Sequence, residues 1–238
     1  MNKEQVEAYI QKNPFEQLGN IVFNILVEEI TSLNLMPGNK LNISKISEEL
    51  DVSRTPVREA LIKLEEGGFV EKISDKQGFY VRGFESADIE QLYFARSTIE
   101  SKTAYLCAQF KKCPNIEKLM ELAEGYYTAS VSDFEIMAEM DRQFHRLIIN
   151  ASSNKYLIQM YELIETKIKL YKKLNFYYLV QNNLTNDIEK VCAEHNAIVN
   201  SIRLNMPEYA EKEMLNHINS SFRELIYANT AFKISRPK

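Results

Sequence analysis

Glycine and proline are scarce in this chain, seven and six among 238 residues, so turns are few and long helices are favoured. Cysteine is scarcer. Cys107, Cys113 and Cys192 are odd in number and show no C-x-x-C spacing, which excludes a disulfide scaffold or zinc finger and predicts reduced thiols in a cytoplasmic protein. No apolar run approaches the roughly 18 residues of a membrane span. The opening M-N-K-E-Q-V-E-A-Y-I carries acids where a signal peptide has its apolar core, so no membrane partner is expected. Positive charge is not in excess either: 29 Lys+Arg against 33 Asp+Glu leave a net −4, which excludes a general polycation seeking nucleic acid or anionic lipid. Histidine occurs three times, as His145, His195 and His217. What is present is ordinary globular material, 45% hydrophobic and 26% charged, of a length that allows one large or two small domains.

The few glycines cluster. Gly67, Gly68 and Gly78, with Gly83 close behind, mark the one stretch where short strands and turns are expected. Before it, Leu18, Ile21, Val22, Ile25, Leu26 and Ile30 recur at helical spacing in a helix over 15–33, which the M-P-G of 36–38 ends. After Gly83 the pattern predicts six helices: 89–110, 114–130, 133–151 (capped by Ser132 or Asp133), 156–179, 184–204 and 207–231. The expected fold class is mainly α: an α+β unit over 1–83 joined to an all-α unit over 84–238.

Within the first unit, Leu41, Ile43, Ile46 and Leu50 fit a short helix with Asn42 or Ser44 near its start. Asp51-Val52 makes a tight turn, and Ser53 can cap a second helix that holds Pro56 in its first turn. That second helix keeps Val57, Leu61 and Leu64 on one face and leaves Arg54, Thr55, Arg58 and Lys63 to point elsewhere. The runs 69–73 and 78–81 then alternate as a β-hairpin. Two helices across a tight turn followed by a hairpin make a winged helix-turn-helix. Arginines at the start of a reading helix suit guanine edges or phosphates, and the helix N-terminus offers free N–H groups to a phosphate. The run V-S-R-T-P-V-R-E-A-L (52–61) resembles the consensus of the GntR family of bacterial transcription regulators. The resemblance implies that Arg54 and Arg58 contact DNA, that Ser53 and Thr55 sit on phosphates and that Gly78 lies in the wing. Where some relatives carry a further arginine on the preceding helix, this chain has Ser44 and then Lys45, which either substitutes or is an ordinary exposed residue. Residues 1–83 hold ten Lys+Arg against thirteen Asp+Glu, so the expected DNA contact rests on a few placed side chains and not on a basic field.

In the second unit Asp141 and His145 stand four apart, about 40° from each other on a helix, on a face shared with Met137, Phe144 and Ile148. A carboxylate and an imidazole on an apolar stripe need a partner, because unpaired buried charge is costly. His195 repeats the oddity beside Val191, Ile198 and Ile202, and His217 lies in line with Ala210, Met214 and Ser221. His195 is eleven residues before Met206 and His217 eleven after it. If the flanking helices form an antiparallel hairpin, both histidines lie roughly 16 Å from the turn, at one level. Three imidazoles and a carboxylate suit a divalent transition metal, zinc first, then nickel, manganese, iron or cobalt. D-R-Q-F-H-R-L-I-I-N-A-S-S-N-K-Y-L (141–157), E-H-N-A-I-V-N-S-I (194–202) and M-L-N-H-I (214–218) resemble the FCD ligand-binding domain of one large GntR subfamily. In that domain the D-x-x-x-H…H…H set is the metal site at the centre of an all-helical barrel, so the resemblance implies that fold and assigns the metal to Asp141, His145, His195 and His217.

Arg96 falls in line with Ile89, Leu92 and Ile99 in L-Y-F-A-R-S-T-I-E (92–100), which resembles the first helix of the same domain. It has two readings: an ordinary i,i+4 ion pair with Glu100, or a cation facing the metal cavity that clamps a small carboxylate effector. The lysines at 167, 169, 172 and 173 read as a solvated helix face. The expected function is a ligand-responsive regulator acting as a repressor, a homodimer on a palindromic double-stranded operator. A metal sensor, in which the metal is itself the signal, and a metal-dependent hydrolase are the alternatives. Against the hydrolase, the chain has no H-E-x-x-H and no acid evident beside the ligands as a general base.

Overall fold

The computed structural model describes residues 1–73, 76–83, 85–125, 134–181 and 188–235. By its internal contacts the chain divides into two units, Met1–Phe84 and Glu85–Lys238.

The first unit opens with α1 (Lys3–Lys12), closed at its start by a capping box between Asn2 and Gln5. Only Val6 of this helix is buried, so it carries no apolar stripe to announce it in the sequence. The apolar stripe expected in 15–33 forms α2 (Leu18–Thr31), whose Ile21, Val22, Ile25, Leu26 and Ile30 are fully buried; Phe15 stays outside, 96% exposed. Leu41 is not helical. With Lys40 it forms β1 (Lys40–Leu41), and the helix begins after it as α3 (Ile43–Leu50), with Asn42 Oδ1 accepting from the N–H groups of Ser44 and Lys45. Asp51 takes the left-handed conformation at φ 53°, which turns the chain sharply into α4 (Arg54–Glu66). α4 lays Val57, Leu61 and Leu64 against α2 and α3. The hairpin forms as β2 (Val70–Lys72) and β3 (Phe79–Val81), and β1 pairs with β3 through Lys40 opposite Tyr80 and Leu41 opposite Phe79. The sheet order is therefore β1-β3-β2. A two-residue strand leaves too little alternation to be read in a sequence.

The second unit is helical: α5 (Ser86–Gln109), α6 (Ile116–Gly125), α7 (Phe134–Ala151), α8 (Lys155–Gln181), α9 (Ile188–Arg203) and α10 (Pro207–Ser235). The expected end of the 114–130 helix, the caps Ser132 and Asp133 and residues 184–187 lie outside the described residues. α5 packs against α7, α8, α9 and α10, and α9 and α10 pack on each other across the turn at Asn205, which holds φ 54°. These five helices bury Phe144, Ile148, Tyr161, Cys192, Ile198 and Met214 around one centre. The three cysteines are free thiols, all buried. No helix among the described residues is long and apolar enough to cross a membrane.

Candidate metal centre and nucleic-acid interface

The four side chains singled out in the second unit meet. Asp141 and His145 on α7, His195 on α9 and His217 on α10 are all buried and each presents a donor atom, and these atoms lie within 4.8 Å of one another. His145 Nε2 and His217 Nε2 are 3.2 Å apart; Asp141 Oδ1 is 3.6 Å from His145 Nε2 and 3.8 Å from His195 Nε2. At metal–nitrogen bonds of about 2.0–2.1 Å, two donors on one ion stand about 3–4 Å apart, so these spacings and this donor set fit a divalent transition metal. The turn at Asn205 sets the histidines of α9 and α10 level, with ring centroids 4.7 Å apart, and Phe144 stacks on His195 at 4.1 Å.

Two carboxylates that no motif singled out lie against the imidazoles. Glu100 on α5 lies against His145 Nδ1, and Glu194 on α9 accepts from His217 Nδ1 at 2.8 Å. An ionised carboxylate only accepts, so Glu194 keeps the proton on His217 Nδ1 and turns that ring's Nε2 lone pair towards the other donors. Glu194 is the immediate neighbour of His195, a juxtaposition the sequence displayed; Glu100 stood in it only as a partner for Arg96.

Arg96 makes the expected ion pair with Glu100 and also reaches His145 in the cluster. Its Nε is 2.6 Å from Glu100 Oε1 and its Nη2 is 3.2 Å from His145 Nε2, with the whole side chain at 0% exposure. Nη1 is buried and has no hydrogen-bond partner among the described residues. Lys172 corrects the expectation of a solvated face: its Nζ lies against Asp141 Oδ2 and its side chain is 14% exposed. Lys172 lies beside buried Tyr171 and Leu174, and Lys173 is itself only 8% exposed, so two of the four lysines depart from a solvated face.

Burial works against every charge here. It acts to raise the carboxyl of Asp141, but the Lys172 ammonium and the His145 imidazole outweigh it and hold the group well below the usual carboxylate range. Glu100 is likewise opposed by burial yet lowered to about 2 by Arg96 and His145. Burial, then the neighbouring His217 imidazole, holds His195 well below the ordinary imidazole value; burial and His145 do the same to His217. Both are therefore neutral at pH 7, the form that ligates a metal.

In the first unit, Ser53, Arg54, Thr55 and Arg58 are exposed on α4 while Pro56 and Val57 turn inward. Ile43, Ser44, Arg54, Thr55 and Arg58 line one hollow between α3 and the start of α4. The Ser53 side chain makes no capping bond, contrary to the expected cap. Lys45 is exposed and lies 3.7 Å from Glu49, a pairing of little energetic weight. Gly78 holds φ 110° at the entry to β3, and a Cβ there would meet Lys40 Cε at 3.2 Å, so the wing turn requires glycine.

Comparison with known proteins bears on both units. Residues 18–81 match the model of the bacterial regulatory proteins of the gntR family, and residues 91–220 match that of the FCD domain. The chain is 26% identical over 208 residues to the HTH-type transcriptional regulator YdhC of Bacillus subtilis, covering 85% of this chain and 88% of that one. It is 24% identical over 226 residues to the HTH-type transcriptional repressor RspR of Escherichia coli, covering 92% and 95%. Among solved structures, the fold resembles E. coli McbR/YncC at a TM-score of 0.70 with 20% identity over 90% of this chain and 99% of that one. It resembles a GntR regulator from Rhodococcus at 0.67, also 20% identical, over 88% and 98%.

Proposed function

The chain belongs to the GntR family of bacterial regulatory proteins and carries an FCD domain, and from that premise we propose that it is a metal-dependent repressor whose operator affinity is set by a small carboxylate. That it is a transcription regulator and not an enzyme follows from the family. The finer reading rests on the buried cluster of Asp141, His145, His195 and His217, the two carboxylates against its imidazoles and the orphaned Arg96 Nη1 beside it. These four residues hold the ion, zinc by preference, with nickel, manganese, iron or cobalt also suited to the donors. Bound there, it offers Lewis acidity to an anionic oxygen. Arg96 supplies the cation that selects a carboxylate and keeps it against the donors. The orphaned guanidinium nitrogen favours this effector reading over a metal sensor, which needs no cation aimed at a second ligand.

On the DNA side, Arg54 and Arg58 reach base edges or phosphates, Ser53, Thr55 and the free N–H groups of α4 take phosphates, Lys45 adds a phosphate contact, and the wing turns at Gly78. Two copies read a palindrome. A face of α8 that exposes Tyr156, Met160 and Leu163 at i, i+4, i+7 spacing supports the pairing. The word "repressor" in the name of the RspR relative supports the sign of regulation. The test is selection of a binding site from random-sequence DNA, then fluorescence anisotropy of that site with zinc-loaded protein while small carboxylates are screened. Release by a carboxylate with zinc present, and none with zinc alone, is the expected result. Release by zinc alone establishes the metal sensor instead.

A further inference from the structure

Lys172 is a charge beside the cluster that the metal-centre reading leaves without a role. Asp141 divides its carboxylate between two environments: Oδ1 faces His145 and His195 at 3.6 and 3.8 Å, while Oδ2 lies against the Lys172 ammonium. Ammonium and divalent ion thus draw on one carboxylate. The fully buried charges around the histidines are balanced by this lysine: Arg96 stands against Glu100, and Lys172 against Asp141. Glu194, which accepts from His217, is 23% exposed.

A divalent ion among these donors upsets that balance. Two cations a few ångströms apart in a low-dielectric interior repel strongly, and both lean on Asp141. The metal alone is therefore penalised by Lys172. A ligand that brings negative charge to the ion and a second negative group within reach of the ammonium removes the penalty. Arg96 already holds Nη1 without a hydrogen-bond partner among the described residues, so a second cationic donor is present for such a group.

We propose that Lys172 couples metal to effector: it lowers the affinity for the ion alone and, released from Asp141 when the ion binds, takes the second carboxylate of a small dicarboxylate. The proposal rests on the metal-centre reading above. Its consequence is that metal and dicarboxylate bind with positive cooperativity, and by linkage each raises the affinity for the other by the same factor.

The test uses the full-length protein and cobalt(II), followed by its d–d absorption, with malonate and succinate as dicarboxylates and acetate as the monoanion at matched ionic strength. Without anion, Lys172→Met binds cobalt about tenfold or more tightly than wild type. In cobalt-loaded wild type, malonate or succinate binds about tenfold or more tightly than acetate; in Lys172→Met that preference is lost, and Lys172→Arg retains it. Lys172→Gln, neutral yet able to hydrogen-bond the carboxylate, repeats the comparison if the methionine variant fails to fold. Cobalt binding in Lys172→Met equal to or weaker than wild type, or no preference for either dicarboxylate in wild type, overturns the coupling while leaving the metal centre standing. Absence of cobalt binding to wild type, matched by His195→Ala, overturns the metal centre and the coupling with it.

Discussion

His217 shows how much of the centre depends on residues other than its ligands. Its Nε2 faces the cluster because Glu194 accepts a hydrogen bond from Nδ1, so Glu194→Ala is expected to weaken zinc binding about 10- to 100-fold by calorimetry while leaving the helical circular dichroism unchanged. The Arg96–Glu100 pair is of another kind. Both side chains are fully buried, so Arg96→Met strands a carboxylate and is expected to cost about 3–5 kcal/mol in urea unfolding, most of which the double variant with Glu100→Leu recovers. Protonation adds a pH signature to the metal-free protein. His195 and His217 stay neutral in the fold below the pH at which free imidazole charges, so unfolding takes up protons there. Stability is full above about pH 6.5 and falls as the pH drops, by about 1.4 kcal/mol per pH unit for each histidine. Asp141 and Glu100 run the same way at lower pH, their contribution fading only as the pH falls towards about 2 for Glu100. A melting temperature that rises between pH 7 and 5 contradicts the placement of both histidines. The four donors were legible in the sequence because imidazoles and a carboxylate on apolar stripes are anomalies. Glu100 and Lys172 were not, since an acid near an arginine and a lysine among lysines look like surface.

Helices announce themselves by periodicity, and α2, α3, α4 and the long helices of the second unit all follow apolar spacing visible in the sequence. The two elements that escaped, α1 and β1, bury one apolar residue each, Val6 and Leu41, and so carry no stripe or alternation to read. What positions α3 is local chemistry at its start. Asn42 accepts from two N–H groups, and Asn42→Ala is expected to cost about 1 kcal/mol in chemical denaturation. The wing is held by backbone conformation. At φ 110° and with Lys40 Cε 3.2 Å from an added Cβ, Gly78→Val is expected to destabilise the first unit by about 1–2 kcal/mol. The α4 surface contrasts with both. Arg58 is exposed on a face that contributes nothing to the core, so Arg58→Ala is expected to abolish retardation of a selected site in a gel with the melting temperature unchanged. Undiminished retardation removes α4 from the reading role.

At the scale of the molecule the net charge of −4 is no vote against DNA, because on the proposed reading a few placed arginines and a helix start make the contact. Regulation requires coupling between the two units, of about 1–3 kcal/mol, and coupling is reciprocal: operator DNA must change the affinity for the effector by the factor with which the effector changes the affinity for DNA. Two-fold pairing is the other requirement. Leu163, 83% exposed between Met160 and the rest of the α8 face, is expected to lie at the contact, so Leu163→Asp should give a monomer by light scattering and lose affinity for a palindromic site but not for single-site DNA. The proposed regulation depends on an ion held by Asp141, His145, His195 and His217. Elemental analysis of the full-length protein, loaded with zinc and dialysed, tests that claim most directly against His195→Ala treated in parallel. The account predicts one zinc ion retained per wild-type chain and almost none in the variant; equal retention in the two contradicts it.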